Sequence, residues 1–412
     1  MAKRELGVWL EDQRVAVLTA PRVGRLTCRY DRAVLDALDL NTPLLSCSLP
    51  LRTGRLDAWP FATGLLPEGR HRQSMAALAG VAAHDVFGML ERFGRDVAGA
   101  VIISPDDPPL RDAHAQPYTA TGLEDAVASI DEHPLGLDDE SELSIAGLQD
   151  KMLLVALPDG SWARPQHGYP STHILKVDDR VRPGLVRAEH ACLQLARAAG
   201  LDAADSRLMT IGAEECLAVR RFDRVAAPDG TIRRIHQEDS CQALGIDPED
   251  NQRRAKYEQW GGPRLRDVAG LLDAWATDPA TALTALLDQM VFTVLIGNAD
   301  AHGKNVSLLH PRPGEIALAP LYDTVPTAVW PTLRVTAAMT IGGVSRLADV
   351  TPDDVVREAV SWSMPERTAR ARAGEVAEAM REVLASDRIE VDSPTLDLVT
   401  ARTESFLASR ST

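Results

Sequence analysis

Apolar residues fall at helical intervals at Leu283, Leu286, Leu287, Met290, Val291 and Val294, which predicts a buried helix ended by Gly297 and Asn298. Just beyond it the period shortens. Val306 to Leu309 and Ile316 to Leu318 read as short strands around a turn at Pro311 to Gly314, so the hairpin brings Asp323 back beside the helix end. Upstream, Met152 to Leu157, Thr172 to Val177, Leu208 to Ile211 and Cys216 to Arg220 are strand-like. Between them, Cys192, Leu193, Ala196 and Ala199 form the buried stripe of a helix. Near the start, Val15 to Leu18 and Gly24 to Tyr30 read as strands and His71 to Phe93 as one helical stretch, before a Pro- and Asp-rich boundary at Asp106-Asp107-Pro108-Pro109. From about residue 237 helical patterns dominate apart from the hairpin. The pattern divides the chain into residues 1–104, 105–225 and 226–412.

Composition narrows the function classes. The 412 residues are 45% hydrophobic and 25% charged, which suits a globular chain of two or three lobes. The formal net charge of −15 argues against a protein that wraps nucleic acid by itself. Arg367, Arg370 and Arg372 make the one basic cluster near the C-terminus, and a solvated helix face explains them. Cys28, Cys47, Cys192, Cys216 and Cys241 lack metal-ligand spacing and read as reduced, buried thiols. With no signal-peptide core and no run approaching a membrane span, a cytoplasmic protein without membrane contact is expected.

The candidate chemistry lies around the hairpin. Singly, Asp300, Asn305 and Asp323 read as a cap, a turn residue and a solvated carboxylate. As an ordered set they suit phosphoryl transfer, in which one Asp positions the attacking hydroxyl while an Asn and a second Asp hold Mg²⁺ on the phosphates. Lys176 ends a mostly apolar strand and needs an anionic partner there. Glu189 on the following helix suits an ion pair with it, against the ordinary reading of a solvated helix Glu. Upstream, Leu143 to Lys151 is a loop of small residues around Gly147, able to bring backbone N–H groups to phosphate oxygens although it lacks a Gly-x-Gly-x-x-Gly pattern.

These residues resemble the HipA family, serine/threonine kinase toxins of bacterial toxin–antitoxin pairs. The resemblance runs from Leu6-Gly7-Val8-Trp9-Leu10 through Ser48-Leu49-Pro50-Leu51, Gly64-Leu65-Leu66-Pro67-Glu68, Ser144 to Lys151 and Thr172 to Val177. It continues in Arg221-Phe222-Asp223-Arg224, Gln237-Glu238-Asp239, Lys256-Tyr257-Glu258, Gly261-Gly262-Pro263, Asp300 to Asn305 and Tyr322-Asp323. It implies an α+β, bilobal protein-kinase-like fold with an additional N-terminal β-rich subdomain and a mainly helical C-terminal lobe.

By the same resemblance Asp300 is the catalytic Asp, and Asn305 and Asp323 are Mg²⁺ ligands. Lys176 meets ATP phosphates, as do Ala146, Gly147, Leu148, Gln149, Asp150 and Lys151 of the loop. The backbone of Arg220, Arg221 and Phe222 holds the adenine. Arg220 stands where the family carries an acidic residue, which leaves backbone contacts as the hinge interaction. Tyr322 joins the nucleotide site. His302 and Lys304 either line the catalytic loop, Lys304 steadying the transferring phosphate, or are solvated loop residues. Ser144 is the implied autophosphorylation site, where a phosphate would repel ATP and turn the enzyme off. A HipB-like DNA-binding antitoxin is the implied partner, DNA being reached only through it, and an aminoacyl-tRNA synthetase is the implied substrate. A small-molecule phosphotransferase and a catalytically quiet corepressor are the alternatives.

Overall fold

The computed structural model describes residues 4–130, 150–227, 229–386 and 388–409. Three layers of structure surround one cleft. The first is an antiparallel sheet of β1 (Glu5–Leu10), β2 (Gln13–Arg22), β3 (Arg25–Tyr30), β4 (Leu56–Asp57) and β5 (Val101–Ser104), in the order β4-β3-β2-β1-β5. Beside it run α1 (Arg32–Ala37), α2 (Trp59–Gly64), α3 (Gly69–Leu78) and α4 (Val86–Phe93). Leu6, Val8, Tyr30, Phe61, Phe87 and Phe93 close a core between sheet and helices. The helical stretch expected from His71 to Phe93 is two helices. Gly80 adopts a left-handed φ of 66°, which a side chain resists, and Asp85 then caps α4 by accepting from the Gly88 N–H at 3.0 Å.

After β5 the chain crosses to a second sheet of β6 (His114–Pro117), β7 (Lys151–Ala156), β8 (Trp162–Gln166), β9 (His173–Val177), β10 (Ser206–Ile211) and β11 (Glu214–Arg220), ordered β10-β11-β9-β7-β8-β6. Helix α5 (Ala120–Ala128) and helix α6 (Leu185–Ala198) accompany it. Asp178 fixes the start of α6, its carboxylate accepting from Gly184 N at 2.7 Å and Val186 N at 3.1 Å. In the pairing of β7 with β9, Lys151 lies opposite Lys176.

The third layer holds the small pair β12 (Arg224–Ala226) and β13 (Ile232–Arg234), and then the sheet β14 (His236–Asp239), β15 (Ser307–His310) and β16 (Ala317–Leu318). The expected hairpin is β15–β16, with β14 as an unforeseen third strand. Its helices are α7 (Ser240–Leu244), α8 (Asp250–Arg253), α9 (Leu265–Trp275), α10 (Pro279–Ile296), α11 (Pro352–Ser361), α12 (Glu366–Leu384) and α13 (Ser393–Ala408). A hairpin of β17 (Thr336–Ile341) and β18 (Val344–Arg346) interrupts them, contrary to the helical expectation; Gly342 and Gly343, both left-handed, make its turn.

Helix α10 corrects a second expectation, because it is long and apolar enough to cross a membrane by length and composition. Here α9, α12 and α13 pack on it instead. Asp278 caps its start and Gly297, at φ 71°, ends it as expected. Two of the three clustered arginines are paired: Arg370 with Asp353 and Glu366, while Arg372 forks onto Asp288 at 2.7 and 2.8 Å. All five cysteines are free and buried. The whole is the expected α+β, two-lobed architecture with a β-rich N-terminal unit.

Candidate active site

A cleft of about 910 Å³ runs between the second sheet and the helical lobe. Asp300, Asn305, Asp323, Lys176, Lys151, Asp150, Arg220, Arg221, Phe222, His302, Lys304 and Tyr322 all border it. Ser144, Ala146, Gly147, Leu148 and Gln149 lie outside the described residues.

Asp300 follows the end of α10 directly. Its N–H donates to Asn298 Oδ1 at 3.0 Å, and its carbonyl accepts from His302 N at 2.8 Å, so the turn is held from both sides. The Tyr257 hydroxyl donates to Asp300 Oδ1 at 2.9 Å. Burial raises the Asp300 carboxyl above its ordinary value, with the Tyr257 hydrogen bond and the Lys256 charge pulling against it. A carboxylate so placed is a better proton acceptor than a free one.

Asn305 ends the 3₁₀ turn Gly303–Asn305, and its Nδ2 donates to Asp323 Oδ2 at 2.7 Å. Among the described residues its Oδ1 is buried without a partner, an unmet acceptor that a cation would satisfy. Asp323 has a left-handed φ of 54°, a conformation Asp tolerates better than most residues, and its side chain is 46% exposed to the cleft. The other Asp323 oxygen accepts from Lys176 Nζ at 2.7 Å. Lys176 also donates to both oxygens of Glu189, at 2.7 and 2.8 Å, which is the pair expected from the sequence. Enclosure works against both charges of the Lys176–Asp323 pair, but their attraction outweighs it, holding the Lys176 ammonium above and the Asp323 carboxyl well below its usual range. Glu189 is fully buried, and burial raises its carboxyl despite Lys176.

Several expected contacts take another form. The Arg221 side chain, for which only a backbone role was expected, forks onto Asp223 at 2.9 and 2.8 Å and reaches Ser171 Oγ at 2.9 Å. The Arg220 and Arg221 N–H groups donate to Asp205 O and Thr172 O. Among the described residues no acceptor meets the Phe222 N–H, which leaves it as the donor at this edge. The Phe222 ring lies 5.4 Å from that of Tyr322, whose hydroxyl donates to Lys304 O at 2.7 Å.

Lys304 is neither solvated nor aimed at a phosphate. Its ammonium is held by Asp239 Oδ2 at 2.7 Å and Gly64 O at 3.0 Å. Asp150 likewise is engaged by Arg70 and His71. His302 is buried, and burial, then the Lys256 charge, pushes its imidazole down to about 3, so it stays neutral. Sequence reasoning passed over the partners of these groups: Tyr257, Lys256, Glu68 and Asp239 appeared only inside family strings, with no role assigned to them.

Comparison with known proteins decides the family. Residues 6–104 match a family model described as the HipA N-terminal domain, and residues 143–384 one described as the HipA-like C-terminal domain. The chain belongs to the HipA family. It is 39% identical to the putative kinase Y4mE of Sinorhizobium fredii, over 86% of this chain and 84% of that protein. The serine/threonine-protein kinase toxin HipA of Shewanella oneidensis is 30% identical over 68% of this chain and 66% of its own. A solved complex of Shewanella oneidensis HipA with HipB and operator DNA superposes with a TM-score of 0.80 at 25% identity, covering 98% of this chain and 96% of that one. This HipA-family chain is therefore a serine/threonine-protein kinase.

Proposed function

We propose that the protein transfers the γ-phosphoryl group of ATP to a Ser or Thr hydroxyl of a translation protein, such as an aminoacyl-tRNA synthetase, as the toxin of a toxin–antitoxin pair. The observation that carries this is one cleft holding the Lys176–Glu189 pair, Asp300 and the Asn305–Asp323 pair together. The donor set fits Mg²⁺, since a hard amide oxygen without a partner sits beside a carboxylate and phosphate oxygens complete such sites. Asn305 and Asp323 would hold the ion, which when bound neutralises charge on the phosphates.

Each remaining role belongs to the chain. Glu189 fixes Lys176, whose ammonium faces the arriving phosphates in place of Asp323. The Phe222 N–H and the Phe222 and Tyr322 rings receive the adenine. Asp300 Oδ1 is held by Tyr257, leaving the second oxygen to orient the acceptor hydroxyl and take its proton. A HipB-like antitoxin is the proposed partner in the cytoplasm, with DNA met only through it, in keeping with the net charge of −15. Ser144 is the proposed site of self-inactivation.

Incubation with radiolabelled ATP and cell lysate tests the reading, alongside an Asp300→Ala variant. Label should enter protein only with the unmutated enzyme, and mass spectrometry should find phosphate on Ser144 only there. Label confined to small molecules would replace the protein kinase by a small-molecule phosphotransferase.

A further inference from the structure

The N-terminal domain puts a charged side chain into the neighbourhood of the catalytic Asp. Glu68, next to α3, is 5% exposed, and its Oε2 accepts from Lys256 Nζ at 2.7 Å. Among the described residues Lys256 has no other carboxylate at ion-pair distance, and it is 4% exposed. Its carbonyl accepts from Gly303 N in the catalytic loop at 3.1 Å. Its ammonium stands 5.5 Å from the centre of the Tyr257 ring, and the Arg334 guanidinium lies over the same ring at 4.4 Å. On the far side, Glu258 accepts from Thr340 N at 2.5 Å and Thr340 Oγ1 at 3.0 Å, tying the segment to β17.

The ring is therefore flanked by two cations, of which Lys256 is buried and paired with Glu68, and its hydroxyl reaches Asp300. Among the described residues no other side chain donates to that carboxylate. A carboxyl group turns freely about its last bond unless something holds one oxygen, and this single hydrogen bond does so.

We propose that Tyr257 is the positioning residue of Asp300, and that Glu68 of the N-terminal domain acts through Lys256 to hold Tyr257 in place. This deepens the kinase reading and rests on Asp300 as the proton acceptor. The N-terminal domain is then part of the catalytic apparatus.

Three variants, Tyr257→Phe, Glu68→Gln and the double, are compared by label transfer from ATP into lysate protein and by calorimetric ATP binding. Tyr257→Phe keeps the ring and its cations, so the fold and ATP affinity should persist while the transfer rate falls on the order of tenfold. Glu68→Gln should fall similarly, and the double variant no further than the worse single, because both act through one carboxylate. Two unrelated structural roles would multiply instead, and that result overturns the proposal, as does a wild-type rate in Tyr257→Phe. If Glu68→Gln does not fold, the neutral pair Glu68→Gln with Lys256→Met replaces it, and a wild-type rate there is equally fatal. Asp300→Asn separates the layers: activity in that variant sinks the kinase reading, whereas a silent Asp300→Asn with a fully active Tyr257→Phe sinks the positioning role alone.

Discussion

With Lys151 as a phosphate contact, ATP binding should be a proton-consuming event near pH 8. Lys151 lies opposite Lys176 across the β7–β9 pairing, so two ammonium groups share one cleft wall. Lys176 is gripped by both Glu189 and Asp323. Burial, and after it the Lys176 charge, push the Lys151 ammonium down to about 8, with Asp323, Glu68 and Glu189 opposing. At pH 8 the group is then about half protonated. A triphosphate entering the cleft favours the charged form and returns Lys151 toward its ordinary value. Binding should therefore take up about 0.1 proton at pH 7, about 0.5 at pH 8 and about 0.9 at pH 9.

The sign follows from that uptake. Affinity is insensitive to pH well below 8 and falls above it, with a slope approaching tenfold per pH unit. Calorimetric titration with a non-hydrolysable ATP analogue and Mg²⁺, in two buffers of different ionisation enthalpy, reads the uptake directly. Lys151→Met should lose both the buffer dependence and the alkaline fall in affinity. Identical heats in the two buffers at pH 8, or an uptake that survives Lys151→Met, would refute the argument.

Other perturbations test other parts of the site. Glu189→Ala leaves the buried Lys176 with Asp323 alone; breaking a buried pair costs about 3 kcal/mol, and transfer should drop on the order of a hundredfold at saturating ATP. Asp96 is fully buried, its Oδ1 accepting from Arg224 Nη2 at 2.8 Å and its Oδ2 from Ser171 N at 3.0 Å. Asp96→Asn should therefore cost roughly 3–5 kcal/mol in denaturant unfolding. Burial works against the Asp96 charge, but Arg224, Arg221 and Arg234 hold its carboxyl below its ordinary value, so its stabilisation is full above that value and is lost as pH falls through the lowered one. Gly303→Ala would set a Cβ 2.6 Å from Pro263 Cγ and 2.8 Å from Cys241 Sγ, so melting should show a loss of about 1–3 kcal/mol along with slower transfer.

What could be read from the sequence was local. Helix α10 and the β15–β16 hairpin were legible because the apolar period changes from helical to alternating within one continuous stretch, with Gly297 marking the change. The ordering of Asp300, Asn305 and Asp323 was legible for the same reason, since only that short hairpin separates them. The Gly80 break was missed because Ala-rich sequence on either side keeps a helical look. The β17–β18 hairpin carried a Gly-Gly turn signal, but Ala337, Ala338 and Met339 are poor strand markers. The setting of Lys304 was not legible because its ammonium is committed to partners far along the chain. Lys304 meets Asp239 65 residues away and Gly64 240 away, distances at which no periodicity reports.

Those long-range partners share a location, and it explains how the cleft keeps its shape. The N-terminal domain touches the cleft at Asp150 through Arg70 and His71, and at the Phe222 edge through Asp96 beside Arg221 and Arg224. It meets the catalytic loop through Gly64 O on Lys304 and the segment before it through Glu68 on Lys256. Buried paired charges add little net stability compared with well-packed apolar side chains, but they tolerate little displacement. A shift of the domain would unpair several at once, each leaving an uncompensated charge out of water. The Phe222 edge, the catalytic loop and Asp150 are thereby referred to a single rigid body. Apolar contact also joins the units, with Leu153 in the N-terminal core and Ile174 packed against it, but only the buried charge pairs add this penalty for a small displacement.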